Sequence, residues 1–433
     1  MTTVSDDSHD YELEFFGDIS PDLTIPDLSR ILIISKDQSY LTHGIHKFPA
    51  KFFPELPRYL IRRYSVKGGS VLDPMCGSGT VVLESLLSGR AAIGVDVDPM
   101  AQLITRVKTQ SLPHNELDSH ANDLLDWIDH TSVYPSIPEF NYRDNWFQPF
   151  VLHELGIISD AINHFSSSGL LPEFCDFFRV IFSSIIREVS NADPHCTRTV
   201  IRKKSIRKIS AGETIFKFRD ALTKQINAMS ELTASLGMIE PKEVVLKHES
   251  ATAMTIENSS IDLAVTSPPY INAVDYPRTH QLEMYWLGMI GDGPLSNMKR
   301  NYIGTETVYK REYEMLQYSS LSTLDPLLEK IFESDPRRSF IVFKFFEDMK
   351  KQLIETLRVL RPGARYCLAI GSNLIRGIPV HSHEILSEMA TSSEVGFHLE
   401  RSFFSGLIRH FIRIPRKERM LGEWVLILRK PEY

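Results

Sequence analysis

The chain holds 433 residues, of which 42% are hydrophobic and 24% charged, and carries a formal net charge of −7. That composition excludes a disordered or fibrous chain and supplies apolar material for one large core or two smaller ones. No run approaches the roughly 20 apolar residues that cross a bilayer, and the N-terminus is acidic where a secretion signal would be basic and then apolar, so a cytoplasmic protein with no membrane partner is expected.

Residues 1–29 hold eight acidic side chains and no Lys or Arg, and are expected to form a flexible acidic leader; the remainder is close to neutral. The stretch SVLDPMCGSGTVVLESLLSGRAAIGVDVDP then reads as a strand (Ser70 to Leu72), a glycine-rich turn, a helix (Thr80 to Leu87) and a second strand (Ala91 to Val95). Gly89 suits the end of that helix, and Asp98-Pro99 can open the next one. Between residues 112 and 240 the pattern turns helical: Phe174, Phe177, Phe178, Ile181 and Phe182 recur at i, i+3, i+4 spacing, as core stripes do. The α/β pattern resumes with EVVLKHESA (Glu243 to Ala251), IDLAVTSPPY (Ile261 to Tyr270) and the helical HQLEMYWLGMI. A helix closed by Pro362-Gly363 and followed by a strand comes next, and apolar runs around Phe403 to Ile408 and Trp424 to Leu428 complete roughly seven strands. Strands alternating with helices predict an α/β fold with a mainly parallel sheet and ligands at the carboxyl ends of its strands. The expected organisation is a leader (1–29), the first part of the α/β domain (30–111), a mostly helical inserted domain (112–240) and the second part (241–433).

DPMCGSGT lies at one such carboxyl end. Gly77 and Gly79 permit a tight turn, and the helix from Thr80 offers free N–H groups to an anionic moiety. There is no GK[ST] of a nucleotide-phosphate loop, and Val82 stands where the dinucleotide fingerprint has its third glycine. Asp96, after the second strand, is placed to accept hydrogen bonds from both hydroxyls of a ribose, whereas Asp98 is expected to cap a helix. Asp73 lies across the same turn, where a carboxylate would repel a pyrophosphate and favour a cationic amino or sulfonium group. The four cysteines, Cys76, Cys175, Cys196 and Cys367, lack the paired spacing of a zinc site or a disulfide framework, so reduced thiols and no metal are expected.

VLDPMCGSGT, GVDVDP and TSPPY, in that order, resemble the glycine-rich, acidic and catalytic motifs of the exocyclic-amino DNA methyltransferases, and the Ser-Pro-Pro-Tyr form resembles their N4-cytosine branch. HKFPAKFFPELP is similar to the family's N-terminal cofactor-contacting motif, and HESA to its acidic motif after the third strand. The resemblance covers about residues 41–110 and 243–433 and leaves the helical insert unmatched. It implies a Rossmann-like seven-stranded methyltransferase fold that binds S-adenosylmethionine through Phe48, Asp73, Met75, Cys76, Gly77, Gly79, Thr80 and Asp96, with Glu249 facing the adenine amino group. Two departures stand out: Glu249 replaces the commoner Asp, and Met75 replaces the usual Phe with a similar apolar volume.

The resemblance makes Ser267, Pro268, Pro269 and Tyr270 the catalytic residues. The N4 lone pair of cytosine is delocalised into the ring, so the amine needs fixed acceptors for its hydrogens: the Ser267 hydroxyl and the Pro268 carbonyl, held by two prolines. Tyr270 would stack on a base rotated out of double-stranded DNA. Asp275, Arg278 and His280 could line the same cleft. The basic segment Arg198, Arg202, Lys203, Lys204, Arg207 and Lys208 could follow DNA phosphates and makes the insert the expected target-recognition region, with Trp146 packing or stacking nearby. A site-specific cytosine-N4 DNA methyltransferase at the bacterial nucleoid, in a restriction or defence system with a cognate nuclease as candidate partner, is the leading expectation. Adenine-N6 DNA methylation, RNA guanine-N2 methylation and a non-catalytic nucleic-acid sensor are the alternatives.

Overall fold

The computed structural model describes residues 11–35, 37–201, 208–271, 274–290, 295–406 and 421–432. In chain order, β1 (Leu13–Phe16) and β2 (Arg30–Ile34) precede helix α1 (Glu55–Tyr64), and the βαβ unit follows as β3 (Ser70–Asp73), α2 (Thr80–Leu87) and β4 (Ala91–Val95). Only helices come next: α3 (Pro99–Lys108), α4 (His114–His130), α5 (Arg143–Trp146), α6 (Pro149–Ser167), α7 (Pro172–Ile186) and α8 (Glu213–Gly237). The chain returns to the sheet with β5 (Val244–Lys247) and β6 (Ile261–Thr266), then forms α9 (Tyr276–Thr279), α10 (Gln281–Trp286), α11 (Leu295–Lys299), α12 (Asp325–Ser334) and α13 (Pro336–Val359). It ends with β7 (Leu360–Ile370), the small hairpin β8 (Asn373–Ile375) and β9 (Ile378–Val380), α14 (Ser382–Thr391), β10 (His398–Gly406) and β11 (Gly422–Arg429).

The main sheet has nine strands in the order β1-β2-β10-β11-β7-β6-β3-β4-β5, and β11 alone runs antiparallel to its neighbours. Seven of these strands, β5 to β10 across the sheet, are the expected Rossmann-like set. Both faces are covered, as alternation along β7 shows: Tyr366, Leu368 and Ile370 enter the core beneath α13 and α14, while Cys367 and Ala369 enter the one beneath α1. The chain leaves β3 toward β4 and β5, then crosses to β6 on β3's other side, so a crevice opens at the carboxyl ends of β3, β4 and β6.

Two expectations need correction. The leader is not flexible over residues 11–29: β1 pairs in parallel with β2, Ile19 and Ile25 are buried in the core under α1, and Asp27 accepts the Ser402 N–H at 2.7 Å. Its acidic composition hid an alternating LEFF strand, which together with β2 adds two strands to the seven expected; residues 1–10 lie outside the described part. Pro362-Gly363 lies inside β7 rather than closing the helix, which ends at Val359. Ile261 pairs with Leu360 and Leu263 with Arg365, so the intervening residues, including Gly363 at φ +76°, bulge out of the ladder. Strands β5 and β6 stop at Lys247 and Thr266, leaving HESA and SPPY in the loops beyond their carboxyl ends.

The helices between β4 and β5 do not form a separate ball. Phe174, Phe177, Phe178 and Phe182 of α7 share one continuous core with Met100, Leu103, Ile104 and Val107 of α3 and with Trp286 of α10. Trp146 belongs to that core as well, and packs rather than presenting a face for stacking.

Candidate active site

The crevice is lined by the glycine-rich turn, the N-terminal motif and the loops after β4, β5 and β6. Its floor is the glycine-rich turn after β3. Asp96 ties this turn to the next loop: its Oδ2 accepts the Gly77 N–H at 2.8 Å and its Oδ1 the Asp98 N–H at 2.9 Å. Gly77 has φ +48°, and a Cβ there would stand 3.3 Å from the ring of Phe48, which closes the crevice from the N-terminal motif. Phe48 in turn stacks on Tyr276 and His280, with ring centroids 5.3 and 5.1 Å away.

Of the expected cofactor residues, Phe48, Asp73, Met75, Cys76, Gly77, Thr80, Asp96 and Glu249 line this one cleft, joined by Ser267 and Pro269. Gly79 does not line it. It holds φ +75° at the start of α2 and lies so close to Thr105 that a Cβ would sit 2.5 Å from Thr105 Cγ2, so helix packing by itself requires a glycine here. Glu249 borders the cleft with its carboxylate spent on the Thr255 N–H and hydroxyl, at 2.9 and 2.8 Å. Asp98 caps α3, as expected, by accepting from Met100 and Ala101 N–H groups.

Pro268 and Tyr270 are not among the lining residues; Tyr270 is partly buried against the core under α13, and its hydroxyl donates to Glu423 on β11. Asp275 caps α9 and accepts from Lys299 Nζ at 2.6 Å, Arg278 points to solvent, and His280 is buried behind Phe48, so none of the three lines the cleft. Arg198 Nη2 lies 3.9 Å from Glu306, Lys208 is exposed, and Arg202, Lys203, Lys204 and Arg207 lie outside the described residues.

Sequence reasoning missed four contributors. Lys51 and Tyr276 line the cleft, as does the segment Asn301 to Ile303, which comes from a stretch with no recognisable motif. Lys51 Nζ donates to the carbonyls of His43 and His46, and burial pulls its pKa down to about 8. Glu84, fully buried on α2, is the fourth: it accepts from His43 Nε2 at 2.9 Å, Arg58 Nε at 2.7 Å and the Tyr40 hydroxyl, clamping the N-terminal motif beneath the turn. A Glu inside VVLESLL, facing an apolar core, was the available signal.

These residues fit S-adenosylmethionine. The cleft carries carboxylates that suit a cation and a ribose, and aromatic faces at Phe48 and Tyr276. Burial, with a smaller push from neighbouring Asp96, raises Asp73 to about 7 against the bonds it accepts from Thr266 and Met75. Burial likewise lifts Asp98 to about 7, with Asp96 adding to it. A bound cation favours the ionised carboxylates, so cofactor affinity should tighten by up to about tenfold per proton released per pH unit as pH rises from 6 toward 7, and level off above. Titration calorimetry in buffers of different ionisation enthalpy should show proton release at pH 6 that shrinks in Asp73→Asn. The sign for folding is opposite. An Asp73 held above its unfolded value stabilises the free protein most below about pH 4, and that contribution is lost as pH climbs through 7.

Comparison with known proteins agrees with this geometry. An N6/N4 family model described as DNA methylase matches residues 25–106. The type II methyltransferase M.MvaI of Kocuria varians is 26% identical over 372 residues, covering 81% of each chain. M.AvaI of Nostoc sp. is 24% identical over 414 residues, covering 86% of this chain and 82% of the relative. Among solved structures, a SAM-dependent methyltransferase from Methanosarcina mazei is similar with a TM-score of 0.31 and 11% identity, over 86% of this chain and 98% of the other. The glycine-rich turn, Asp96, Ser267 and Pro269 are thus gathered on one cleft, in a chain that is similar to the N6/N4 DNA methylase family model over residues 25–106 and to type II methyltransferases over most of its length.

Proposed function

We propose that the protein transfers a methyl group from S-adenosylmethionine to the N4 amine of cytosine at a specific site in double-stranded DNA. The observation that carries this reading is that Ser267 and Pro269 open into the same cleft as Asp73, Gly77 and Asp96. Bound S-adenosylmethionine supplies a methyl group on a sulfonium, which makes that carbon electrophilic. Ser267 and the Pro268 carbonyl accept the hydrogens of the incoming amine, which favours a tetrahedral nitrogen with its lone pair free. Neither acceptor has to be charged. Tyr270 provides an aromatic face for the base once it leaves the duplex, offsetting part of a flipping cost of a few kcal/mol. Asp73 and Asp96 hold negative charge beside the sulfonium and the ribose.

Relatives named as type II methyltransferases motivate a place in restriction and modification, beside a nuclease of the same specificity. Mass spectrometry of nucleosides from unmethylated DNA and RNA incubated with protein and cofactor tests the chemistry. N4-methylcytosine in DNA supports it, whereas N6-methyladenine, N2-methylguanine in RNA, or cofactor binding without turnover overturns it. The helical insert, with the basic segment from Arg198 to Lys208, reads the target in this proposal. Neutralising that segment should flatten the fall of DNA affinity with salt by about one unit of log–log slope per lost phosphate contact. Equal slopes in variant and parent would remove the insert from the interface.

A further inference from the structure

Tyr270 is held at two ends. Its backbone is backed by Gly304, at φ +80°, where a Cβ would come within 3.4 Å of the Tyr270 carbonyl oxygen. Its phenol tip is held by Glu423, the second residue of β11, whose only side-chain hydrogen bond among the described residues is the one it accepts from that hydroxyl. Between the two, the ring lies against the core under α13. A carboxylate placed at the carboxyl edge of the sheet, partly buried and without a cationic partner among the described residues, is costly unless its hydrogen bond is useful. Burial raises the Glu423 pKa, against the bond from Tyr270 that lowers it, and burial together with the Glu423 charge raises the phenol well above its ordinary value. Both directions describe a phenol that stays protonated and donating.

We propose that Glu423 is the positioning residue for Tyr270, fixing the phenol so that the ring stands in one orientation to receive the extruded base. The inference rests on the base-stacking reading above. It predicts that the bond matters to turnover through Tyr270, whose phenol also bonds with the Ser267 side chain, since Glu423 does not line the cofactor cleft. Angular freedom in a group that aligns a substrate is expensive: small misplacements cost one to two orders of magnitude in rate.

The test uses the full chain, genomic DNA lacking the modification, and labelled S-adenosylmethionine. Glu423→Ala and Tyr270→Phe should each lower kcat by about tenfold and leave cofactor affinity within about twofold, and the double variant should lose no more than either single one. Glu423→Gln, which keeps an acceptor, should recover to within about threefold of the parent. Additive losses, an unimpaired Glu423→Ala, or a Gln variant as poor as the Ala variant would overturn the proposal, the last by pointing to charge or proton acceptance. Weakened cofactor binding in the Gln variant would overturn it too, by placing Glu423 in the general framework. The contact is also read without turnover: urea midpoints of the two single variants and the double should be non-additive, and additive midpoints would exclude the bond. A parent protein that methylates nothing while keeping this coupling would fail the methyltransferase reading and leave the positioning contact standing.

Discussion

Replacing Ser267 with alanine should lower kcat for methyl transfer by about 10²–10³-fold, the range seen when one preorganised polar group is deleted at a reacting centre. Cofactor affinity should change little, because the floor of the cleft is built from Asp73, Gly77 and Asp96 on other strands. Alanine leaves the amine with one acceptor in place of two, and Thr266 cannot take over, being buried and donating to Asp73 at 2.6 Å. Single-turnover kinetics with saturating cofactor and DNA separates this loss from any change in binding. A Ser267→Ala protein that turns over within threefold of the parent would remove the hydroxyl from the mechanism.

The second large effect is on stability. Glu84→Ala should destabilise the fold by about 3–5 kcal/mol, the usual consequence of removing one partner from a buried charged pair. Glu84 is 0% exposed and receives bonds from Arg58, His43 and Tyr40, so its loss strands a mostly buried guanidinium beside a buried imidazole. Asp18 also pairs with Arg58 but is half exposed and cannot replace a buried acceptor. The damage should extend to the cofactor, because the clamp seats residues 40–58 and with them Phe48 over Gly77. Urea unfolding followed by intrinsic fluorescence, together with cofactor titration of the folded variant, checks both halves. An unchanged midpoint would mean that the cluster contributes nothing net.

Much of the fold was legible because its signals are local. The glycine-rich turn, the acid ending β4 and the proline pair after β6 each mark a strand's carboxyl end, and the sheet gathers those ends in space whatever lies between them. The insert was readable as helical from its phenylalanine spacing. Its fusion with α3 was not, because periodicity tells which face is buried and not what buries it. The ordered part of the leader escaped for a similar reason: acidic composition outweighed a four-residue alternation, although the partner strand β2 lies just downstream.

Within the site, residues that act through their own motif were found, and those that act from a distance were not. Glu423 and Tyr270 are 153 positions apart, and Glu84 and Tyr40 are 44 apart. No spacing rule links such pairs; only the strand order does. Gly79 shows a second reason for a glycine that its motif does not disclose, since its neighbour Thr105 leaves no room for a Cβ.

The common core of α3 and α7 bears on how such a protein could be re-aimed at new DNA. If the insert reads the target as proposed, replacing it whole would tear apolar packing away from the helix that Asp98 caps, and the cleft beside that cap would loosen along with it. Changes to the insert are therefore better confined to solvent-facing positions such as Phe216 and Met238, 67% and 84% exposed, which can be altered without unseating the scaffold beneath.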